Sequence, residues 1–369
     1  MKIAIIGSGN IGTALAADLA QHHIVNVYSS RPQLFEKKIT YIDMESGKKV
    51  NAQLNKVSNQ YEEVIEDADL IFLAVPTFLI RKTSLEILKY LHRKTMIGFV
   101  PGAGGVEFLA KELIDNGHII FGFLRVPYVA RLNEYGKSVY ASKKDSFKIA
   151  AIPRTYTHQI SQKMSDLLNR PCFDIDNFLS MTLTPTLHTS RLYDLYQAVD
   201  AQTMLWEDPY FYADWTNSSS KVCLELDDEL HLVAKCLEEK YGLDMHDLVS
   251  YRIHYESPTI EALTVKLRSI KSLSQIKGPL KKENDYFLLD MDSRYFTESY
   301  PYRLSIVKGI ADLLSISVPK TDEVLSWYSK ISHKDYYIDG KFIGKDVEEC
   351  AIPQNFGISH IAEFLKLYQ

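Results

Sequence analysis

The start of the chain places a glycine-rich hexapeptide between two apolar patterns. Residues 2–6 form a mostly apolar run rich in β-branched side chains, which predicts a buried strand. The hexapeptide follows at once, and residues 13–20 then carry leucine and alanine at the spacing of one helix face. The order of strand, G-x-G-x-x-G and helix predicts a dinucleotide-binding turn, and a plain glycine-rich turn is the alternative.

Each glycine has a distinct predicted role in such a turn. Gly7 allows the tight turn, Gly9 lets the backbone approach a pyrophosphate, and Gly12 lets the helix pack closely on the strand. The helix start then presents N–H groups and a positive dipole end to the phosphates. The cofactor contacts predicted for this turn are Gly7, Ser8, Gly9, Asn10, Ile11 and Gly12.

The end of the second predicted strand favours one nicotinamide cofactor over the other. Residues 24–28 lead into Ser29, Ser30 and Arg31, and no acidic residue precedes Arg31 in this segment. NAD sites usually place a carboxylate here to bond the ribose 2′-hydroxyl, whereas a guanidinium pairs well with a phosphate. We therefore predict that these three residues bind NADP(H) in preference to NAD(H), and a solvated loop charge is the alternative for Arg31.

Two later turns are predicted to line the same ligand crevice. A buried strand over residues 70–75 ends at Val75-Pro76, and a second glycine-rich turn begins at Pro101-Gly102 after another strand. In an α/β sheet, turns at the carboxyl ends of the strands line the ligand site. We expect the first turn near the adenosine and the second near the nicotinamide, where a plain strand-to-helix turn is the alternative.

The periodicity of the chain changes near residue 183. Before it, strands alternate with helices, which predicts a doubly wound parallel sheet, and alternating segments over residues 40–57 predict a hairpin. After it, long helical patterns replace the alternation, among them one over residues 305–314. The expected fold class is α/β, with an N-terminal Rossmann domain over residues 1–183 and a C-terminal, mainly α-helical substrate-binding domain over residues 184–369.

Composition argues against several classes of protein. The formal net charge of -5 lacks the basic excess of a nucleic-acid-binding protein. The four cysteines have no paired spacing, which argues against disulfides or a metal site, and no apolar run reaches the roughly 18 residues of a membrane span. We expect a cytoplasmic protein with small-molecule substrates and without metal, nucleic acid or membrane. Its oligomeric state stays open, with a homodimer as one alternative.

An enzyme that uses a nicotinamide cofactor must add a proton donor and an anchor for its substrate. His188 stands at the predicted domain junction, just after Thr184-Pro185, and begins a helix whose same face carries Arg191. Histidine exchanges protons near neutral pH, and a buried structural histidine is the alternative. Arg294 lies in a loop of interleaved aromatic and acidic residues, where binding a carboxylate and loop packing are the two alternatives.

A series of short motifs occurs along the chain in a fixed order. They are Gly7-Ser8-Gly9-Asn10-Ile11-Gly12, Pro101-Gly102-x-Gly104-Gly105-x-Glu107-Phe108, Pro127-Tyr128-x-x-Arg131, Ala150-Ala151-Ile152-Pro153, Pro185-x-x-His188, Arg294-Tyr295-x-x-Glu298-x-x-Pro301-Tyr302, Val318-Pro319-x-x-Asp322 and Ile352-Pro353-x-x-Phe356-Gly357. In this combination, over nearly its whole length, the chain resembles the opine dehydrogenase family, the octopine/nopaline dehydrogenase group.

The resemblance implies an NAD(P)-dependent oxidoreductase that acts on CH–NH bonds by reductive condensation. A 2-oxo acid, typically pyruvate, and the amine of an amino acid form an imine, which is reduced to an N-(1-carboxyalkyl)-amino acid. By motif, His188 would be the general acid and Arg294 would clamp a substrate carboxylate.

The partner of the predicted catalytic histidine differs from the family pattern. Ser299 stands where the family usually has an aspartate after the glutamate of the arginine motif. A serine cannot stabilise an imidazolium by charge. Either His188 is less basic, or the reaction differs, or an acid such as Glu298, Asp194 or Asp200 substitutes.

Two further departures lie near the predicted substrate. Thr184 replaces a common asparagine, and Arg125 replaces a small polar residue, which favours a more acidic substrate. The predicted site residues are His188, Glu298 and Ser299 for catalysis and Arg294, Arg125 and Arg191 for substrate binding. Two other functions stay open: an NADP-dependent 2-hydroxy- or 3-hydroxy-acid dehydrogenase of the same two-domain plan, and a non-catalytic NADP(H)-binding sensor.

Overall fold

The computed structural model describes residues 1–184 and 186–368 of the chain. Its contacts divide the chain into two compact units. The first comprises Met1–Thr182 together with Leu365–Gln369, and the second comprises Leu183–Phe364. The C-terminal segment, which the sequence prediction kept in the helical domain, is therefore grouped with the first unit.

The first unit is built from strands and helices that alternate along most of its length. Its strands are β1 (Lys2–Ile6), β2 (Ile24–Tyr28), β3 (Lys38–Asp43), β4 (Lys49–Gln53), β5 (Lys56–Ser58), β6 (Leu70–Leu73), β7 (Met96–Phe99), β8 (Ile119–Phe123), β9 (Tyr128–Glu134), β10 (Ser138–Lys143), β11 (Phe147–Ile152) and β12 (Cys172–Asp174). Its helices are α1 (Asn10–Leu19), α2 (Tyr61–Ile65), α3 (Thr77–Leu88), α4 (Val106–Leu109), α5 (Lys111–Asp115), α6 (Thr157–Leu168) and α7 (Leu179–Thr182).

The main sheet has eight strands in the order β12-β11-β8-β7-β6-β1-β2-β5. Neighbouring strands from β8 to β5 are parallel, with Ile5 paired to Val27 on one side and to Phe72 on the other. This order confirms the predicted doubly wound Rossmann sheet. β11 runs antiparallel to β8, because the hairpin β9–β10 connects them in place of a crossover helix.

A second sheet in the order β4-β3-β10-β9 also packs against α1. The β3–β4 hairpin was predicted over residues 40–57, whereas the pairing of β3 with β10 joins segments far apart in the chain. Every residue of α1 from Gly12 to Leu19 is buried except Asp18. Close packing between two sheets explains the many alanines of this helix, because a short side chain lets a strand approach the helix axis.

The second unit is mainly helical, as predicted. Its helices are α8 (Leu187–Tyr196), α9 (Asn217–Tyr241), α10 (Tyr251–His254), α11 (Ile260–Ser269), α12 (Arg294–Thr297), α13 (Ser305–Leu314), α14 (Pro319–Ile331) and α15 (Ile361–Leu365), and a π-helical turn (Tyr300–Leu304) joins α12 to α13. A hairpin of β13 (Leu280–Glu283) and β14 (Tyr286–Leu289) was not predicted. Among the described helices, none combines the length and apolar composition that a bilayer span requires.

Candidate active site

The glycine turn after β1 has the backbone that its sequence predicts. Gly7 adopts a φ of +119°, and a Cβ atom there would stand 2.4 Å from the carbonyl oxygen of Ala74. A Cβ on Gly12 would stand 2.0 Å from the carbonyl oxygen of Gly7. A Cβ on Gly9 would meet no described atom within 4 Å. Packing therefore requires glycine at the first and third positions, while the second borders open space that a ligand can enter.

The start of α1 is suited to bind an anion. Gly9 precedes the helix in an extended conformation, and among the described residues no side chain caps the first turn. The N–H groups of that turn and the helix dipole fit the pyrophosphate of a dinucleotide, so the residues present fit the predicted cofactor. The side chains of Asn10 and Ile11 serve the fold: Asn10 Oδ1 accepts the N–H of Leu132 at 2.9 Å, and Ile11 packs on the core.

Ser29, Ser30 and Arg31 follow β2 beside the glycine turn. Ser29 is buried, and its hydroxyl oxygen lies 3.2 Å from that of Ser8. Ser30 and Arg31 are exposed. The guanidinium of Arg31 lies 4.2 Å from the centre of the Tyr135 ring. The structure thus brings the predicted residues together and adds Tyr135, which sequence reasoning missed because no local pattern marks it.

The two later turns both lie at the carboxyl end of a strand of the main sheet. Val75 borders the glycine turn, since its Cγ1 would stand 3.3 Å from a Cβ on Gly7, and Pro76 precedes α3. Pro101 and Gly102 follow β7, and the N–H of Gly102 donates to the carbonyl oxygen of the last residue of β8 at 2.8 Å. Contact of either turn with a cofactor stays a prediction.

A buried carboxyl group follows the second turn, and the sequence showed it only as part of a motif. Glu107, in α4, accepts hydrogen bonds from Thr182 Oγ1 at 2.7 Å and from the phenol of Tyr368 at 2.8 Å. Burial raises the pKa of Glu107 to about 7, although both hydrogen bonds act in the opposite direction. The bond to Tyr368 ties the C-terminal segment into the first unit.

In the second unit, His188 lies at the start of α8. The hydroxyl of Thr186 caps this helix by accepting the N–H of His188 at 3.3 Å, while Pro185 of the predicted junction motif is outside the described residues. The imidazole Nδ1 lies 3.3 Å from Ser299 Oγ, and the Tyr295 ring centre lies 4.4 Å from that of the imidazole. Ser299, which the π-helical turn follows, is therefore the hydrogen-bond partner of His188.

The surroundings of His188 disfavour a charged imidazole. Burial is the largest cause, followed by the positive charges of Arg303 and Arg294, and together they lower the pKa of His188 to about 4. The hydroxyl of Ser299 brings no negative charge to oppose them. The imidazole is consequently neutral at neutral pH in the absence of substrate.

The acids considered as substitutes for the family aspartate bind elsewhere. Glu298 forms an ion pair with Arg294 at 2.7 Å. Asp194 accepts hydroxyl hydrogen bonds from the loop and helix start of α9. Asp200 accepts the backbone N–H two residues further along the chain at 2.8 Å. The geometry supports the alternative in which His188 is less basic.

The three arginines predicted to bind substrate have different environments. The side chain of Arg294 is 69% exposed, and Arg125 is exposed in the first unit. Arg191 is 1% exposed. Its guanidinium donates to the carbonyl oxygens of Phe211 and Asp214, at 2.9 and 2.8 Å, and to the hydroxyl of Ser219 at 3.1 Å. These bonds give Arg191 a structural role in the helical unit, which corrects the prediction that it binds substrate.

Two family models match separate parts of the chain. The model described as NAD/NADP octopine/nopaline dehydrogenase, alpha-helical domain, matches residues 174–332. The model described as ketopantoate reductase PanE/ApbA matches residues 3–154. Tauropine dehydrogenase of Arabella iricolor is 24% identical over 395 residues, which cover 98% of this chain and 99% of that protein.

Solved structures resemble the fold over its whole length. The structure of octopine dehydrogenase with NADH and L-arginine has a TM-score of 0.88 at 22% sequence identity. The structure of octopine dehydrogenase with NADH and pyruvate has a TM-score of 0.88 at 21% sequence identity. Each match covers 100% of this chain and 98% of the octopine dehydrogenase chain. Yersinopine dehydrogenase with bound NADP+ has a TM-score of 0.69 at 12% identity and covers 96% of this chain and 98% of its own. Likeness at these identities shows the fold.

Proposed function

The chain belongs to the octopine/nopaline dehydrogenase group of opine dehydrogenases, and we propose that it catalyses an opine-type reductive condensation. A pyruvate-like 2-oxo acid and the amine of an amino acid form an imine with loss of water. A hydride and a proton then convert the imine to an N-(1-carboxyalkyl)-amino acid. The observation that carries the proposal is that the likeness to a tauropine dehydrogenase runs through both units of the chain.

The first unit supplies the cofactor site in this proposal. NAD(P)H, when bound, supplies the hydride. The N–H groups at the start of α1 hold the pyrophosphate, and the open space beside Gly9 admits it to the backbone. Val75, Pro76, Pro101 and Gly102 complete the proposed walls of the site, because their turns lie at the carboxyl ends of the central strands.

We assign proton transfer to His188 and carboxylate binding to Arg294. The exposed guanidinium of Arg294 presents the planar fork that binds a carboxylate by two hydrogen bonds, and Glu298 positions it. A bound carboxylate offsets the charge of Arg294, which is one cause of the lowered pKa of His188. Substrate binding therefore favours the imidazolium, which donates its proton to the oxygen that leaves as water.

Ser299 positions the imidazole without fixing its tautomer. A carboxylate partner only accepts, so it would hold the proton on Nδ1, whereas a hydroxyl either accepts from Nδ1–H or donates to Nδ1. Both neutral tautomers of His188 are satisfied by the contact at 3.3 Å. We infer that Ser299 orients His188, whereas the charge of the bound substrate raises the pKa of the imidazole.

We propose NADP(H) as the preferred cofactor, supported by the exposed Arg31 and the acid-free end of β2. Replacing Arg31 with alanine is expected to raise the KM for NADPH about tenfold or more and to leave the KM for NADH nearly unchanged, because a hydrogen bond to a charged group contributes about 1.5–3 kcal/mol. Steady-state kinetics with both cofactors measure the ratio. An unchanged preference for NADPH would remove Arg31 from the site.

The reaction class is tested by a screen of oxo acids crossed with amino acids. We expect NADPH oxidation only when a 2-oxo acid and an amine are both present, and the product mass should equal their sum less water plus two hydrogens. The readout is loss of absorbance by the reduced cofactor, followed by mass spectrometry. Arg125, exposed in the first unit, is proposed to favour acidic substrates, so dicarboxylic oxo acids belong in the screen.

Two other outcomes separate the remaining functions. Oxidation of NADPH when the 2-oxo acid is present without an amine would indicate a hydroxy-acid dehydrogenase of the same two-domain plan. Tight NADPH binding without turnover for any pair would indicate a sensor. We propose a cytoplasmic location for this activity, because the scattered spacing of the four cysteines is typical of reduced thiols.

A further inference from the structure

Three hydroxyl groups from distant parts of the first unit converge beside the glycine turn. Tyr135 lies in the turn between β9 and β10. Its phenol oxygen lies 2.8 Å from Ser8 Oγ and 2.9 Å from Ser29 Oγ. The two serine hydroxyls lie 3.2 Å apart. The triangle joins the glycine turn, the end of β2 and the tip of the inserted hairpin.

The hairpin tip is fixed in this position by packing. Gly136 has a φ of +75°, and a Cβ there would stand 2.2 Å from the carbonyl oxygen of Leu34. The carbonyl oxygen of Gly136 accepts the N–H of Glu36 at 3.0 Å. The ring of Phe35 meets the Tyr135 ring edge-on at a centre distance of 5.3 Å. The phenol is therefore held in place before any ligand arrives, which lowers the entropy cost of binding.

The electrostatic environment of the triangle favours negative charge. The guanidinium of Arg31 lies over the Tyr135 ring at 4.2 Å, a cation–π contact that holds it beside the hydroxyls. Burial acts to raise the pKa of the Tyr135 phenol. Hydrogen bonds with Ser29 and Ser8 and the charge of Arg31 outweigh burial, so this pKa lies below its ordinary value. A site that stabilises a phenolate stabilises a phosphate by the same donors and charge.

We propose that Tyr135 is a specificity-determining residue whose hydroxyl, with those of Ser8 and Ser29 and the guanidinium of Arg31, binds the 2′-phosphate of NADPH. This inference rests on the proposed NADP(H) preference. Hydroxyl hydrogens rotate at little cost, so the bonds within the triangle are exchanged for bonds to phosphate oxygens. A ribose 2′-hydroxyl gains less from the same groups, because only the phosphate brings charge-assisted bonds.

Tyr135→Phe removes the hydroxyl and keeps the ring on which Arg31 lies. In fluorescence titrations of the full chain, we expect the Kd for NADPH to rise about tenfold or more and that for NADH to change less than about twofold. Competition by adenosine 2′-monophosphate should weaken by the same factor as NADPH, and competition by adenosine 5′-monophosphate should not. Tyr140→Phe is the matched control: Tyr140 is exposed on the adjoining strand β10, and its variant should bind both cofactors as the wild type does.

An equal loss of affinity for NADPH and NADH in Tyr135→Phe would mean that the hydroxyl only supports the fold, and it would overturn the inference. An unchanged ratio would overturn it too, and so would tighter NADPH binding, since that would mean that the phenol obstructs the phosphate. These are binding measurements and do not depend on turnover. Failure of the condensation assay therefore counts against the proposed reaction alone, and a wild-type preference for NADH counts against the proposed cofactor before any variant is made.

Discussion

In the Ser299→Asp variant, the pH at which kcat/KM falls to half is expected to rise by about two pH units. Ser299 is 4% exposed, and its Oγ lies 3.3 Å from Nδ1 of His188. A carboxylate at this distance favours the imidazolium and opposes the burial and arginine charges that lower the pKa of His188 to about 4. Because the acid form of His188 is the active form in the proposed mechanism, activity is retained to higher pH. The measurement is a pH profile of kcat/KM with saturating NADPH.

The matched control is Ser299→Asn, which has the size of aspartate without its charge. Its midpoint should stay within about half a pH unit of the wild-type value, since a neutral side chain leaves the charge balance at His188 unchanged. In His188→Ala the midpoint should vanish and activity should fall about 100-fold or more. Far-UV circular dichroism and a thermal melt, compared with the wild type, report that each variant is folded in the second unit, which contains His188 and Ser299. Equal midpoints in the aspartate and asparagine variants would contradict the assigned role of His188.

The parts of the fold that are set by local patterns could be predicted from the sequence. The strands β1 (Lys2–Ile6) and β2 (Ile24–Tyr28) and the helix α13 (Ser305–Leu314) have the bounds that apolar periodicity indicates. The glycine turn was also predictable, because the motif encodes the glycines that packing requires at positions 7 and 12 and the open approach at Gly9. Only part of the small sheet was predicted. The β3–β4 hairpin follows from a local alternating pattern, whereas the pairing of β3 with β10 joins segments that are far apart in the chain.

The site was predictable where a residue's own segment or the order of the family motifs marked it. His188 and Ser299 are partners across 111 positions, and the shared motif order anticipated that pairing. Arg191 lies three residues after His188, and helix spacing alone predicts that both side chains share one face. The acceptors of Arg191 come from the segment before α9, so its burial depends on a tertiary contact that helix spacing does not indicate. Tyr135 and Tyr368 reach their partners through tertiary contacts that leave no periodic trace in the sequence.

Glu107→Gln is expected to remove a pH dependence of stability from the first unit. The folded chain raises the pKa of Glu107 from 4.5 to about 7, because the carboxyl is fully buried. A carboxyl with a raised folded pKa stabilises the fold fully below its unfolded pKa, and this stability is lost as the pH rises through the folded pKa. Between pH 5 and pH 8 the wild type should lose about 2 to 3 kcal/mol of unfolding free energy through this group.

The glutamine variant stays neutral throughout this range, and its amide keeps polar contact with the hydroxyls of Thr182 and Tyr368. Its urea midpoint should therefore decline less than that of the wild type between the two pH values. Glu62→Gln, at an exposed position in α2, is the control and should follow the wild type. A parallel decline of the urea midpoints of the wild type and Glu107→Gln would mean that the carboxyl is ionised in the folded chain. A hydrogen bond between Tyr368 and a neutral Glu107 would then not be the anchor of the C-terminal segment.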